Sequence, residues 1–138
     1  MNAYLDSSIL LRRALGQPNG LAEWSVIDRA WTSRLTEVEC LRILDRMRIL
    51  GQLTPDDHAA RVGTVLALLE GCERVELNAP ILRRASEPFP VPLKTLDALH
   101  LSTALVLGYH LDAAPCMATH DLGLARASRA LGLHVVGV

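Results

Sequence analysis

Aromatic side chains are scarce in this chain: two Trp, two Tyr and one Phe among 138 residues, 4% of the total. The core must therefore be built from Leu, Val, Ile and Ala. A dominant charge is missing as well. A formal net charge of −1 gives no global positive field to draw in nucleic acid. Lysine is nearly absent, Lys94 being the one lysine among fourteen basic residues. No apolar run reaches the roughly eighteen residues a membrane-crossing helix needs. Cys40, Cys72 and Cys116 are odd in number and lack CxxC spacing, which excludes a disulfide framework and argues against a zinc site. They read as small buried hydrophobes of a reducing compartment. At the N-terminus Asp6 precedes the short apolar run Ile9-Leu10-Leu11 and Arg12-Arg13 follow it, the reverse of a signal peptide. Repeats, low-complexity tracts and linkers are missing too. The expectation is one soluble domain over residues 1–138.

What is present alternates between strands and helices. Asn2 to Leu5 reads as a strand, Ile9 to Leu15 as a helix stopped by Gly16 and Pro18, and Leu21 to Asp28 as a short helix. Ala30 to Ser33 reads as a second strand. Leu35, Val38, Leu41, Leu44 and Met47 recur at helical spacing, predicting a helix from Arg34 to Leu50. Thr54-Pro55-Asp56-Asp57 opens the next helix, which Gly71 closes, so the two form a hairpin. A strand at Val75–Leu77, a helix at Ala79–Ser86 and a proline-rich connector at Glu87–Pro92 follow. After a long helix at Leu93–Gly108 come a strand at Pro115–Thr119, a helix at Leu122–Leu131 and a strand at His134–Val136. Strands alternating with helices predict an α/β/α sandwich with a short parallel sheet covered on both faces.

The helix at Leu93–Gly108 is apolar on nearly every side, which predicts burial in the middle of the domain. Its one carboxylate, Asp97, lies in the first turn. Asp6 ends the first strand and Asp121 follows the fourth, so both reach the carboxyl edge where open parallel sheets bind ligands. Singly, Asp6 and Asp121 are explained as helix caps and Asp97 as a complement to the helix dipole. Together they would repel one another unless a cation joins them, and Lys94 is the one basic residue close by. Oxygen ligands without His or Cys favour a hard divalent ion, Mg2+ or Mn2+. A fourth acid must come from the helix at Arg34–Leu50, where Glu37 and Glu39 compete. Two residues are roughly 200° of helical rotation, so both cannot face one site. The pattern leaves that choice open.

The histidines have quieter explanations. His100 fits a hydrogen-bonded core residue better than a metal ligand, and His58, His110 and His134 lack partners at metal spacing. His120, between Thr119 and Asp121, is kept as a candidate substrate contact. Trp24 and Trp31 read as packing residues. Arg42, Arg46 and Arg48 are a solvated face by default, although such a cluster can bind phosphates.

Four segments, taken together, carry a resemblance. Tyr4-Leu5-Asp6-Ser7-Ser8, Ser33-Arg34-Leu35-Thr36-Glu37-Val38-Glu39, Leu96-Asp97-Ala98-Leu99-His100-Leu101-Ser102-Thr103-Ala104 and Thr119-His120-Asp121 resemble the motifs of PIN-domain ribonucleases. The likeness is in particular to the toxins of VapBC toxin–antitoxin pairs, and it spans essentially the whole chain. It selects Glu39 over Glu37. Asp6, Glu39, Asp97 and Asp121 match the family's four acids, and Ser8 and Thr119 its hydroxyl positions near the metal. Ser7 and His120 depart from residues frequent in the family without removing a ligand. The resemblance implies a Mg2+-dependent endoribonuclease that leaves a 5′-phosphate, with Asp6 and Asp97 as main ligands. Glu39 would complete or orient the first ion, and Asp121 would serve a second ion or act as an outer acceptor. It also implies a homodimer, a cognate antitoxin whose tail and arginine reach the acidic pocket, and a bacterial cytoplasmic setting. The arginine-for-lysine bias fits GC-rich bacterial coding.

Two other readings compete. A receiver-like phosphoacceptor domain needs a paired acid after the first strand and a lysine after the last, and this chain has neither. A catalytically silent PIN-like scaffold is disfavoured by the presence of all four acids. Finally, the hairpin at Arg34–Leu69 carries more apolar residues than one sheet face absorbs, which predicts a protruding element that meets a partner.

Overall fold

Alternation along the strands decides which layer each residue joins. In β1 (Asn2–Leu5), Ala3 and Leu5 point to one face and Tyr4 to the other, and all three are buried. In β4 (Cys116–Ala118), Cys116 and Ala118 share the first face and Met117 the second. The computed structural model describes residues Met1–Val138. With β2 (Arg29–Ser33), β3 (Glu73–Val75) and β5 (Val135–Val136), these strands form a five-stranded sheet in the order β3-β2-β1-β4-β5, every pairing parallel.

Parallel strands need crossovers, and the helices between them cover both faces. α1 (Ser7–Ala14), α2 (Arg34–Ile49) and α3 (Pro55–Glu70) bury Ile9, Leu10, Cys40, Leu44, Val65 and Leu69 against Ala3 and Leu5. On the opposite face α5 (Thr95–Gly108) and α6 (Leu122–Ala130) bury Leu101, Ala104, Leu124 and Ala127 against Tyr4, Trp31 and Met117. α4 (Ala79–Ser86) packs along α5. The architecture is the expected α/β/α sandwich. No helix is long and apolar enough to cross a membrane.

Local chemistry sets the helix starts. The side chains of Asp6, Ser33, Thr54, Asn78 and Asp121 cap α1, α2, α3, α4 and α6 by accepting backbone N–H bonds. Three expectations need correction. The segment at Leu21–Asp28 is a 3-10 turn over Ala22–Val26 without a side-chain cap, because so short a piece closes more readily with i→i+3 bonds. β3 lies two residues upstream of the predicted Val75–Leu77, since pairing with β2 sets Glu73 beside Trp31 and Val75 beside Ser33. α5 is not buried all round. It buries His100, Ser102 and Thr103 while Leu96 is 46% exposed. The helix buries a polar stripe as well as an apolar one.

Candidate metal centre

The strand order reverses between β1 and β4. The chain builds β2 and β3 on one side of β1, then crosses to lay β4 and β5 on the other. In open parallel sheets the crevice at such a reversal, beyond the carboxyl ends of the strands, receives the ligand. Asp6 leaves β1 and Asp121 follows β4, on either side of that crevice.

Asp6 is 4% exposed and caps α1 while facing the crevice. Its Oδ1 accepts the Ser8 hydroxyl at 2.6 Å and the backbone N–H groups of Ser8 and Ile9 at 3.1 and 3.4 Å. Oδ2 accepts one donor, the Thr119 hydroxyl at 2.9 Å, and so keeps a lone pair. Both hydroxyls tie Asp6 to the turn after β4. Ser8 Oγ accepts the His120 N–H at 2.8 Å, and Thr119 Oγ1 accepts the Asp121 N–H at 2.9 Å. Capping and presentation are therefore not rival explanations here. Oδ1 caps, and Oδ2 remains available.

Asp97 and Asp121 line an open cavity of about 620 Å³ together with Lys94, His120 and Gly123. Asp121 Oδ1 caps α6 through the Leu124 N–H at 2.8 Å. Gly123 leaves it room, since a Cβ there would stand 3.1 Å from that oxygen. Burial pushes the Asp97 carboxyl above the ordinary Asp value, and the charges of Asp121 and Asp6 push it further, against smaller opposing effects of His100 and Lys94. Burial likewise raises Asp6, opposed by the Ser8 hydroxyl, His100, the Thr119 hydroxyl and the Ile9 N–H. The charges of Asp121 and Asp6 thus both act on Asp97, with Lys94 as the one lysine beside it, an arrangement that a bound cation would relieve.

The structure separates Glu37 from Glu39. Glu37 turns outward to Arg74 at 3.2 Å. Glu39 turns inward and is 12% exposed; its Oε1 lies 2.5 Å from His100 Nε2, and its Oε2 accepts the Ser7 hydroxyl at 3.5 Å. Arg42, three residues on from Glu39, pairs with Asp45. Asp6, Asp97 and Asp121 thus face one crevice, and Glu39 borders it through His100. No three His, Cys, Asp or Glu side chains close tightly enough to grip one ion by themselves. Mg2+ needs only one or two carboxylates, since water completes its octahedron. The donors are all oxygen, which suits a hard ion.

Two contributors escaped sequence reasoning. Tyr4 is given no role of its own there, and its hydroxyl meets His100 Nδ1 at 2.9 Å. Gly137, which follows the last strand, is given no role either, and its carbonyl accepts from His120 Nδ1 at 2.6 Å and fixes that ring beside the cavity. A signal existed for His100, because i+3 spacing sets it on the same side of the helix as Asp97.

Comparison with known proteins gives the family. The PIN domain family matches residues 3–130. Ribonuclease VapC35 of Mycobacterium tuberculosis is 37% identical over 142 residues, spanning 96% of this chain and 94% of its own length. Ribonuclease VapC46 of the same organism is 29% identical over 133 residues, spanning 96% and 95%. Among solved structures, VapBC-5 from Mycobacterium tuberculosis superposes with a TM-score of 0.68 at 19% identity, covering 100% of both chains. A toxin–antitoxin complex from Klebsiella pneumoniae gives 0.69 at 14% identity, covering 99% of this chain and 98% of its own. At such identities the structural likeness speaks for the fold. Since the family match runs from β1 to the end of α6 and a 37% identical relative spans nearly the whole chain, this protein belongs to the PIN-domain family, alongside the VapC ribonucleases.

Proposed function

We propose that this chain is the toxin of a type II toxin–antitoxin pair, a Mg2+-dependent endoribonuclease working in the bacterial cytoplasm as a single PIN domain over residues 1–138. The observation that carries the reading is the convergence of Asp6, Asp97 and Asp121 on one crevice with no arginine to neutralise them. Asp6 and Asp97 would hold the ion, with Mn2+ an alternative occupant. Glu39 completes or orients that set, and Asp121 supplies a further oxygen from the cavity wall.

When bound, the ion supplies Lewis acidity toward a phosphodiester and eases deprotonation of a water molecule. The residues of the chain do the rest. Asp6 offers Oδ2 in a fixed direction because Oδ1 is committed to Ser8 and Ile9. Thr119 and Ser8 hold the turn after β4 at a set distance from Asp6. Lys94 puts a positive charge beside Asp97 at the mouth of the cavity, where a phosphate would approach. His120 stands on the same wall, its ring anchored to Gly137, as a contact for the RNA strand.

An antitoxin is the expected partner, and the outer side of the α2–α3 hairpin suits one. Val38, Ile43, Ile49, Leu50 and Leu66 are exposed there, Ile49 to 65%. Arg42 and Arg46 interrupt this apolar surface, and a complementary amphipathic segment with acidic residues would cover both. An arginine from that partner, entering the cavity, would pair with the unneutralised acids and silence the enzyme. A homodimer completes the expected assembly.

The test is cleavage of a panel of structured RNAs with Mg2+ or with EDTA, by the protein and by Asp6→Asn and Asp97→Asn variants. Cleavage that depends on Mg2+ and vanishes in both variants is the expected result. Cleavage that survives chelation, or that neither variant diminishes, would sink the metal mechanism. A protein that binds its antitoxin but cuts no RNA would favour the silent scaffold.

A further inference from the structure

Glu39 is held by a buried chain of side chains that the metal reading does not by itself explain. Tyr4 is fully buried in β1, and its hydroxyl lies 2.9 Å from His100 Nδ1. The two rings meet edge to face, with centroids 5.9 Å apart. His100 is 1% exposed on α5, and its Nε2 stands 2.5 Å from Glu39 Oε1 on α2. Three elements, one from each layer of the fold, are thus joined side chain to side chain: β1, α5 and α2.

Chemistry fixes the direction of the contact with Glu39. An ionised Glu39 only accepts, so Nε2 carries a proton and donates. Nδ1 and the Tyr4 hydroxyl share the second hydrogen bond, which holds the ring at its other end. The phenol is kept protonated, since burial raises it far above its usual range. The ring cannot swing away without leaving the Tyr4 hydroxyl and its own nitrogens without partners in a dry interior. α5 carries Asp97 one turn before His100, so the same helix that presents one acid to the crevice also sets the second.

We infer that His100 is a positioning residue, locking the Glu39 carboxylate toward the crevice, with Tyr4 setting the orientation of its ring. The inference rests on the crevice being a metal site, and it adds a shell behind the acids. Outer partners of this kind fix ligand orientation in metal sites generally, and their loss weakens binding. Glu39 comes from a helix surface rather than a strand end, and it lacks the paired hydroxyls that steady Asp6. It therefore depends on this contact more than the other acids do.

Mn2+ titrated calorimetrically into the metal-stripped, full-length protein reads binding without turnover. His100→Gln carries an amide that reaches the place of Nε2, whereas His100→Asn reaches only that of Nδ1 and His100→Leu offers no donor. The expected result is Mn2+ affinity weakened about 10- to 100-fold in the Asn and Leu variants and largely kept by Gln. In a Glu39→Gln background the further change to Leu or Asn should cost nothing, because the path to the metal is already broken. The Asn variant keeps a polar partner for Tyr4, so it serves if the Leu variant does not fold. Unchanged affinity in Leu and Asn, equal loss in Gln, or additive loss with Glu39→Gln overturns the inference, while Asp6→Asn still abolishes binding. Mn2+ binding that ignores Asp6→Asn and Asp97→Asn would overturn the metal site, and this inference with it.

Discussion

Thr119 holds Asp6 through one hydroxyl, 2.9 Å from its Oδ2, and the same oxygen accepts the Asp121 N–H at 2.9 Å. One side chain thereby sets the spacing between the acid after β1 and the acid after β4. Thr119→Val keeps the shape and removes the hydroxyl. Asp6 then loses its Oδ2 donor, and the Asp121 N–H loses its acceptor. The expected cost is about 1–3 kcal/mol in urea unfolding and about a 10- to 100-fold loss of Mg2+-dependent cleavage. Thr119→Ser should retain most of both. A Val variant as active as the parent would show that the acids keep their spacing without this bridge.

The raised Asp97 carboxyl has a consequence for stability. An acid held above its ordinary value of 3.8 binds its proton more tightly folded than unfolded. Between that value and the raised one the folded state carries more protons, so stability falls as pH rises through the window, and the full penalty stands above it. Asp97→Asn removes this penalty along with the repulsion from Asp121 and Asp6. The metal-free variant should melt higher than the parent at pH 7, and the difference should close near pH 3, where both side chains are neutral. Added Mg2+ should raise the melting temperature of the parent and leave the variant unmoved. A variant that melts lower than the parent at pH 7 would mean that Asp97 is stabilised by its surroundings rather than strained.

Most of the fold was legible because the alternation of strands and helices, the caps and the hydrophobic spacing are local signals. Asp6, Thr54 and Asp121 announce their helices in the sequence and cap them in the structure. β3 slipped because its position depends on pairing with β2, which no local pattern records. The acids were legible as residues at strand ends and at the head of α5. Their partners were not. Tyr4 and His100 are 96 positions apart, as distant in sequence as His100 and Glu39 are unrelated in pattern, and only the packing of α5 over β1 brings them together. The helical pattern could not choose between Glu37 and Glu39, whereas the pairing of Glu37 with Arg74 separates them in space.

That separation predicts opposite outcomes for two neighbouring substitutions. Glu37→Gln breaks a partly exposed ion pair, a change of about 0–1 kcal/mol with no expected effect on cleavage. Glu39→Gln removes the inward carboxylate that His100 and Ser7 hold, and should reduce cleavage by at least about tenfold. Side-by-side cleavage rates at saturating Mg2+ decide the matter. Equal effects would mean that Glu39 has no part in the site.

Gly137 offers the last test, because its neighbour in kind, Gly132, supplies the control. Both adopt positive φ, +96° and +83°, so alanine at either strains the backbone. Around Gly132 there is open space within 4 Å, but a Cβ on Gly137 would stand 2.6 Å from the Thr119 carbonyl oxygen and 3.3 Å from Ile9 Cδ1. Backbone cannot yield as a flexible side chain does, so the C-terminal segment must move off β4. That motion withdraws the carbonyl on which His120 Nδ1 rests and loosens the turn holding Thr119 and Asp121. Gly132→Ala should cost about 1 kcal/mol and leave cleavage intact. Gly137→Ala should cost more, about 1–3 kcal/mol for strain and displacement together, and should also slow cleavage. Equal losses of stability with cleavage unchanged in both would show that the chain end does not support the site.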